Sequence, residues 1–229
     1  MMIEFLLIDL DDTILDFHKA EHVGLLNTLQ HYGVEPNIET VELYKEINAA
    51  HWHALEQGKM TRKQVNEGRF ETLFRQLGRE VDGAECAAYY LSQLALTHDY
   101  LPGAQEAIIS LSKKYRLFIA SNGNSVVQFP RLAESGLNNY VEKAFISEAL
   151  GENKPSKAYF DLCFAQIPGF DPKKAMMVGD SLTSDIQGGI NAGIRTCWVN
   201  VFGKKNTTAI HPDYEIPALS QLEALLERL

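Results

Sequence analysis

The chain has 229 residues, 45% of them apolar, and its 30 acidic and 21 basic residues leave a net charge of −9. That length accommodates one large domain or a core with a smaller inserted one, and the acidic balance argues against non-specific binding to nucleic acid or anionic membranes. Cys86, Cys163 and Cys197 are far apart, odd in number and without metal-ligand spacing, which reads as reduced core thiols of a cytoplasmic protein.

No apolar run approaches the length of a membrane span. The first strand starts so close to Met1 that no signal peptide is expected. Asn206-Thr207-Thr208 spells a glycosylation sequon, which carries no meaning in the cytoplasm.

In chain order, the near-continuous apolar run Ile3 to Ile8 predicts a strand buried on both faces. It leads into Asp9, Asp11, Asp12 and Thr13. From His18 to about His98 the pattern is helical throughout. Helices are expected over Ala20–Tyr32, stopped by Gly33, and over Glu39–Gln57, stopped by Gly58. A third opens with Thr61 and Gln64 as a capping box, and carries Phe70, Leu73, Phe74 and Leu77 on one face. A fourth starts at Asp82 with Glu85 as a second box and runs to about Thr97. Four amphipathic helices with short links predict a compact bundle inserted after the first strand.

From Leu101 helices and strands alternate. Strands are expected at Leu117–Ala120, Ala144–Ile146, Ala175–Val178 and Thr196–Val199, with a weak edge strand at Tyr214–Ile216. Helices are expected at Ala104–Lys114, Val126–Ser135, Lys157–Gln166 and Thr183–Ala192, and over the closing Leu219–Leu229. The alternation predicts an α/β fold: a parallel sheet covered on both faces in a three-layer core, with the all-α bundle as an insertion. The domains predicted are residues 1–16 with 100–229 as the core, and 17–99 as the helical unit.

The chemistry gathers at strand ends, where open parallel sheets bind ligands. In extended geometry Asp9 and Asp11 would point to one side. Paired carboxylates repel unless a cation neutralises them, and an all-oxygen site of this kind suits Mg²⁺. Ser121-Asn122-Gly123 ends a strand with a small hydroxyl and exposed N–H groups, which can donate to phosphate oxygens. Asp180 ends another strand and can join Asp9 at a metal; Asp185 follows in the next helical turn. Lys154-Pro155 lies in a loop between them. Each member alone has an ordinary explanation as a turn, a cap or a solvated side chain. All four together, in order, do not.

On these residues the chain resembles the haloacid dehalogenase-like superfamily. Asp9 to Thr13, Ser121, Lys154, and Gly179-Asp180 to Asp185 resemble its four motifs, and the helical insertion resembles its cap of the first type. The resemblance implies a Rossmann-like core with the Asp9 strand central. It implies that Asp9 attacks phosphorus and becomes an aspartyl phosphate, and that Asp11 protonates the leaving oxygen and later activates water. It implies Mg²⁺ held by the Asp9 side chain, the Asp11 main-chain carbonyl and Asp180. Ser121, Asn122, Gly123 and Lys154 would bind phosphate oxygens, and Asp185 would support metal or lysine from behind. Asp12 is expected to be a turn residue, and Thr13 to order the loop.

Asp11 favours phosphoryl transfer over dehalogenation, which needs neither a metal nor that acid. The finer resemblance is to cytosolic pyrimidine 5′-nucleotidases of the superfamily. It rests on Asp11 to Phe17, on Glu56 to Thr61 with Arg69-Phe70, and on Asn122-Gly123 with Gln128 and Arg131-Leu132. It implies a small phosphate monoester as substrate, a nucleoside monophosphate of pyrimidine or deoxy type. The alternatives are a phosphatase or mutase acting on a sugar phosphate, and a non-catalytic binding or regulatory protein that keeps the fold. Candidates for reading the leaving group are His51, Trp52, Arg62 and Arg69, with Phe17 and His18 at the hinge. Against these stand simpler roles: bundle core for Trp52 and Phe70, and solvated helix faces for the arginines. His51 and His53 fall on different helix faces, which argues against a metal pair there.

Overall fold

In the computed structural model, which describes residues 2–229, six strands form one parallel sheet in the order β3-β2-β1-β4-β5-β6. The strands are β1 (Phe5–Ile8), β2 (Arg116–Ser121), β3 (Lys143–Ile146), β4 (Ala175–Gly179), β5 (Arg195–Val199) and β6 (Tyr214–Ile216). β1 lies in the middle, with Leu7 opposite Phe118 of β2 on one side and Met177 of β4 on the other.

Side chains alternate across this sheet, and the apolar runs serve both faces. Leu6, Ile8, Leu117, Ile119, Met176 and Val178 bury on one side. There they meet α5 (Ala104–Leu111) through Ile108 and Leu111, and α10 (Leu222–Leu226) through Leu222. Phe5, Leu7, Phe118, Phe145 and Met177 bury on the other side, against Tyr159, Phe160 and Cys163 of α8 (Lys157–Phe164). The result is a three-layer, Rossmann-like core. The chain divides into two compact units, one of residues up to Phe17 with His98–Leu229, the other of His18–Thr97.

The second unit is all helical: most of α1 (Phe17–His31), then α2 (Ile38–Glu56), α3 (Arg62–Gln76) and α4 (Gly83–Leu94). Thr61 and Gln64 make the predicted reciprocal capping box of α3. Asp82 caps α4 by accepting from the Ala84 and Glu85 N–H groups. Tyr44, Phe70 and Tyr90 form an aromatic centre with ring centroids 5.0–5.9 Å apart. Arg69 departs from the solvated role expected of it. It is 2% exposed, lies over the Phe70 and Tyr90 rings, and donates to Asn48 Oδ1 at 2.8 Å, while Asn48 donates to Glu21. Trp52 is only half-buried, with the Arg62 guanidinium over its ring.

Other elements differ from expectation in detail. β2 extends through Ser121, and the short α7 (Ser147–Leu150) follows β3 directly. The helix expected from Thr183 begins as a π-helical turn, Leu182–Ile186, before α9 (Gln187–Ala192). The Ile186 N–H reaches back five residues to the Ser181 carbonyl, because Ser181 and Asp185 side chains bond the turn from inside. The closing helix is a 3₁₀ turn, Leu219–Gln221, followed by the short α10. Among the described residues no helix is long and apolar enough to cross a membrane.

Candidate active site

The C-terminal ends of β1, β2 and β4 lie side by side, and each delivers a polar residue to the same end of the sheet. Asp9 is the first residue beyond β1, and its N–H still bonds the Val178 carbonyl at 2.8 Å. Lys154 arrives from the loop between α7 and α8 and is 1% exposed. Its ammonium donates to Asp9 Oδ1 at 2.7 Å, to Asp185 Oδ1 at 2.6 Å and to the Ala120 carbonyl at 2.5 Å. Three sequence-predicted positions, Asp9, Lys154 and Asp185, thus meet at one nitrogen.

The Lys154 loop is pinned by Asn122. The Asn122 carboxamide donates to the Lys154 carbonyl at 2.9 Å and accepts from the Lys154 N–H at 2.8 Å. It also donates to Ser184 Oγ. The Asn122 side chain thus holds the lysine loop in place, while the phosphate contact expected at this turn is one of main-chain N–H groups.

Ser121 sits at the end of β2, and its Oγ accepts from the Gly123 N–H and from Gln128, each at 3.1 Å. Both contacts use the oxygen as acceptor, so the hydroxyl proton is left to donate.

Asp185 holds Lys154 with one oxygen and accepts the Ser181 N–H at 3.0 Å with the other. Gly179 makes room for it, because a Cβ there would overlap the Asp185 carboxylate. Asp180 lies across from Asp9; its carbonyl accepts the Trp198 indole N–H at 2.8 Å, and Lys204 approaches its carboxylate at 3.8 Å.

Asp11 departs from the extended geometry expected of it. β1 ends at Ile8, so strand alternation no longer governs residue 11. Its carboxylate turns to α6 (Ser125–Glu134), accepting from Gln128 at 2.6 Å on one oxygen and from Arg131 on the other. Asp12 takes a left-handed turn with φ 56°, and its side chain caps the Phe17 N–H at 3.0 Å. Thr13 is fully buried, and its hydroxyl bonds none of the described residues, so it orders the loop by packing alone.

Carboxylate oxygens of Asp9, Asp180 and Asp185 lie within 4.8 Å of one another. Burial, then repulsion from Asp185 and Asp12, pushes Asp180 up to about 7 against the pull of Lys204 and Lys154. Burial also raises Asp9 well above the usual carboxylate range; Lys154 opposes this, while Asp185, Asp11 and Asp180 reinforce it. Burial pulls the Lys154 ammonium down, but Asp185 and Asp9 more than offset that and the net shift is upward. Carboxylates that hold protons this firmly are short of positive charge. An all-oxygen donor set in that condition fits a hard divalent cation such as Mg²⁺.

Two residues at this site were legible only as part of a similar segment: Gln128 and Arg131, at i and i+3 on one face of α6 and 1% and 0% exposed. The signal available was that spacing, directly after the Ser121 strand end.

Comparison with known proteins agrees with this geometry. The family model of the haloacid dehalogenase-like hydrolases matches residues 6–199. The chain is 40% identical to pyrimidine 5′-nucleotidase PynA of Streptococcus pneumoniae, over 100% of this chain and 97% of that one. It is 32% identical to pyrimidine 5′-nucleotidase YjjG of Escherichia coli, over 97% of each. The crystal structure of the HAD-hydrolase YfnB of Bacillus subtilis, bound to magnesium, superposes with a TM-score of 0.94 at 40% identity, covering 99% of both chains. With the motif residues assembled at one end of the sheet and the match spanning most of its length, the chain belongs to the haloacid dehalogenase-like hydrolases.

Proposed function

We propose that this chain is a Mg²⁺-dependent phosphomonoesterase that acts through an aspartyl phosphate on nucleoside 5′-monophosphates, pyrimidine and deoxy forms foremost. The observation that carries the chemistry is the buried Asp9–Lys154–Asp185 array with Asp180 beside it. The nucleotide substrate is supported by the similarity to PynA and YjjG, both pyrimidine 5′-nucleotidases. Three buried free cysteines support a reducing, cytoplasmic setting.

Asp9 is the nucleophile: a carboxylate oxygen forms a bond to phosphorus as the ester oxygen departs. Asp11 gives its proton to that oxygen, then takes one from the water that cleaves the aspartyl phosphate. Lys154 and the Ser121 hydroxyl bind the equatorial oxygens, where charge gathers. Asp9, Asp180 and the Asp11 main-chain carbonyl would hold Mg²⁺, with Asp185 behind; when bound it supplies neutralisation of the charge on phosphate.

The test is kcat/KM for dUMP, dTMP, UMP, AMP, glucose 6-phosphate and β-glucose 1-phosphate at fixed Mg²⁺, with Asp9→Asn as control. The expected result is a preference for the pyrimidine nucleotides and no turnover by the variant. Preference for a sugar phosphate removes the nucleotide assignment alone. Turnover by Asp9→Asn near the parent rate removes the mechanism.

A further inference from the structure

Asp11 has to hand a proton to one oxygen and take it from another, so the aim of its carboxyl matters as much as its presence. The sheet does not supply that aim, because β1 has ended three residues earlier. Two side chains of α6 do. Gln128 donates to Asp11 Oδ2 at 2.6 Å, and Arg131 donates to Oδ1.

The orientation of the Gln128 amide is itself determined. Arg131 is a donor only, and it donates to Gln128 Oε1 at 2.9 Å. The Gln128 NH₂ group is thereby turned to Asp11 and to Ser121 Oγ, which it reaches at 3.1 Å. One buried amide therefore ties the proton-transfer carboxyl to the hydroxyl at the end of β2. Gly123 leaves the space for it: a Cβ there would lie 2.6 Å from Gln128 Cδ. An arginine with no exposure is uncommon, and its charge is accommodated by pairing with a carboxylate.

We infer that Gln128 and Arg131 are positioning residues that aim the Asp11 carboxyl at the ester oxygen and at the incoming water, an inference that rests on the phosphatase reading above. In the first step the Asp9 oxygen bonds to phosphorus, the P–O ester bond breaks, and the departing oxygen keeps the electron pair. A nucleoside alkoxide then needs the Asp11 proton. A p-nitrophenolate does not, since it leaves as a stable anion. In the second step water bonds to phosphorus, its proton goes to Asp11, and the bond to Asp9 breaks.

This difference gives a readout that packing alone would not move. With enzyme in excess over substrate and Mg²⁺ present, release of the leaving group reports the first step only. Arg131→Met is expected to slow deoxyuridine release from dUMP by roughly 10–100-fold, part of the ~10²–10⁴ typical of a positioned acid. It is expected to leave p-nitrophenolate release from p-nitrophenyl phosphate within about twofold of the parent. Arg131→Lys, which keeps the charge, is expected to recover part of the dUMP rate. Gln128→Leu should show the same split, and a higher KM for both esters through Ser121.

Equal losses on both esters in Arg131→Met and in Arg131→Lys, with or without a lowered melting temperature, overturn the inference in favour of a structural role. So do unchanged rates on both. If Arg131→Met does not fold, Arg131→Lys and Gln128→Leu carry the comparison. Parent protein that turns over neither ester, or turns them over without Asp9, fails the phosphatase reading itself. Asp9-dependent turnover that is indifferent to residues 128 and 131 fails only this inference.

Discussion

The Lys154 ammonium and the Asp185 carboxylate meet at 2.6 Å, each with 1% of its side chain exposed. A buried pair of this kind adds little over an apolar replacement of both partners, yet removing one partner leaves the other charged in a poor solvent. Lys154 has a second carboxylate, Asp9, at 2.7 Å, so losing the lysine strands two anions. Lys154→Met should cost about 3–5 kcal/mol of unfolding free energy without metal. Added Mg²⁺ should return part of that. Urea unfolding with and without Mg²⁺ measures both; a loss below about 1 kcal/mol would show that the array relaxes to let water in.

The metal site should compete with protons. Burial, with Asp185 and Asp12 nearby, pushes Asp180 up to about 7, well above the usual carboxylate range. Across that window the folded state holds more protons than the unfolded one, so this group lowers stability as pH rises from about 4 to about 7. Mg²⁺ replaces the proton. The gain in melting temperature on adding Mg²⁺ should therefore be larger near pH 8 than near pH 5. In Asp180→Asn the pH dependence in this window should flatten and the Mg²⁺ gain should shrink. A gain independent of pH in the parent protein would place the cation elsewhere.

Gly179 is required for space. A methyl group there meets the Asp185 carboxylate, which has no slack because Lys154 and the Ser181 N–H hold its two oxygens. Gly179→Ala should cost about 1–3 kcal/mol and weaken Mg²⁺ binding together with it. Thermal melts and metal titration of the same variant test the link. Normal metal affinity in a destabilised variant would separate Asp185 from the cation.

In the helical unit, Arg69 should matter for stability. Its guanidinium lies 4.8 Å from the Tyr90 ring centroid and bonds Asn48, so both stacking and hydrogen bonding are lost on truncation. Arg69→Ala should destabilise by about 2–4 kcal/mol, and Arg69→Lys should recover little, since an ammonium cannot both stack and fork. A melting temperature unchanged in both variants would return Arg69 to the solvated role first expected of it.

Much of this was legible because buried strands read as apolar runs and the chemistry sits on the residue that ends each run. Asp9, Ser121 and Asp180 are each recognisable as the polar residue that stops a strand. Lys154 and Asp185 needed the order of the whole set. Arg69, Gln128 and Arg131 were not legible as buried. Helical spacing shows which residues share a face, but a charged residue on a face is ordinarily solvated, and only a tertiary partner such as Asp11 reverses that. The job of Asn122 was hidden for the same reason: its partner is the Lys154 backbone, thirty-two positions along the chain. The π-turn after Asp180 was hidden because it is made by side chains of Ser181 and Asp185 bonding inward, which no periodicity records.

The placement of β1 at the middle of the sheet has a consequence for how the protein is made. It is the earliest of the six strands in the chain, yet its partners are Arg116–Ser121 on one edge and Ala175–Gly179 on the other. During synthesis the Asp9 strand must wait for residue 121 before its first partner emerges and for residue 179 before its second, whereas the helices of residues 18–97 close on contacts already to hand. Any chain that stops short of β4 leaves Leu6, Leu7 and Ile8 on an open edge, ready to pair with another copy. The strand that carries the chemistry is therefore also the one on which a nascent or truncated chain is most exposed to aggregation.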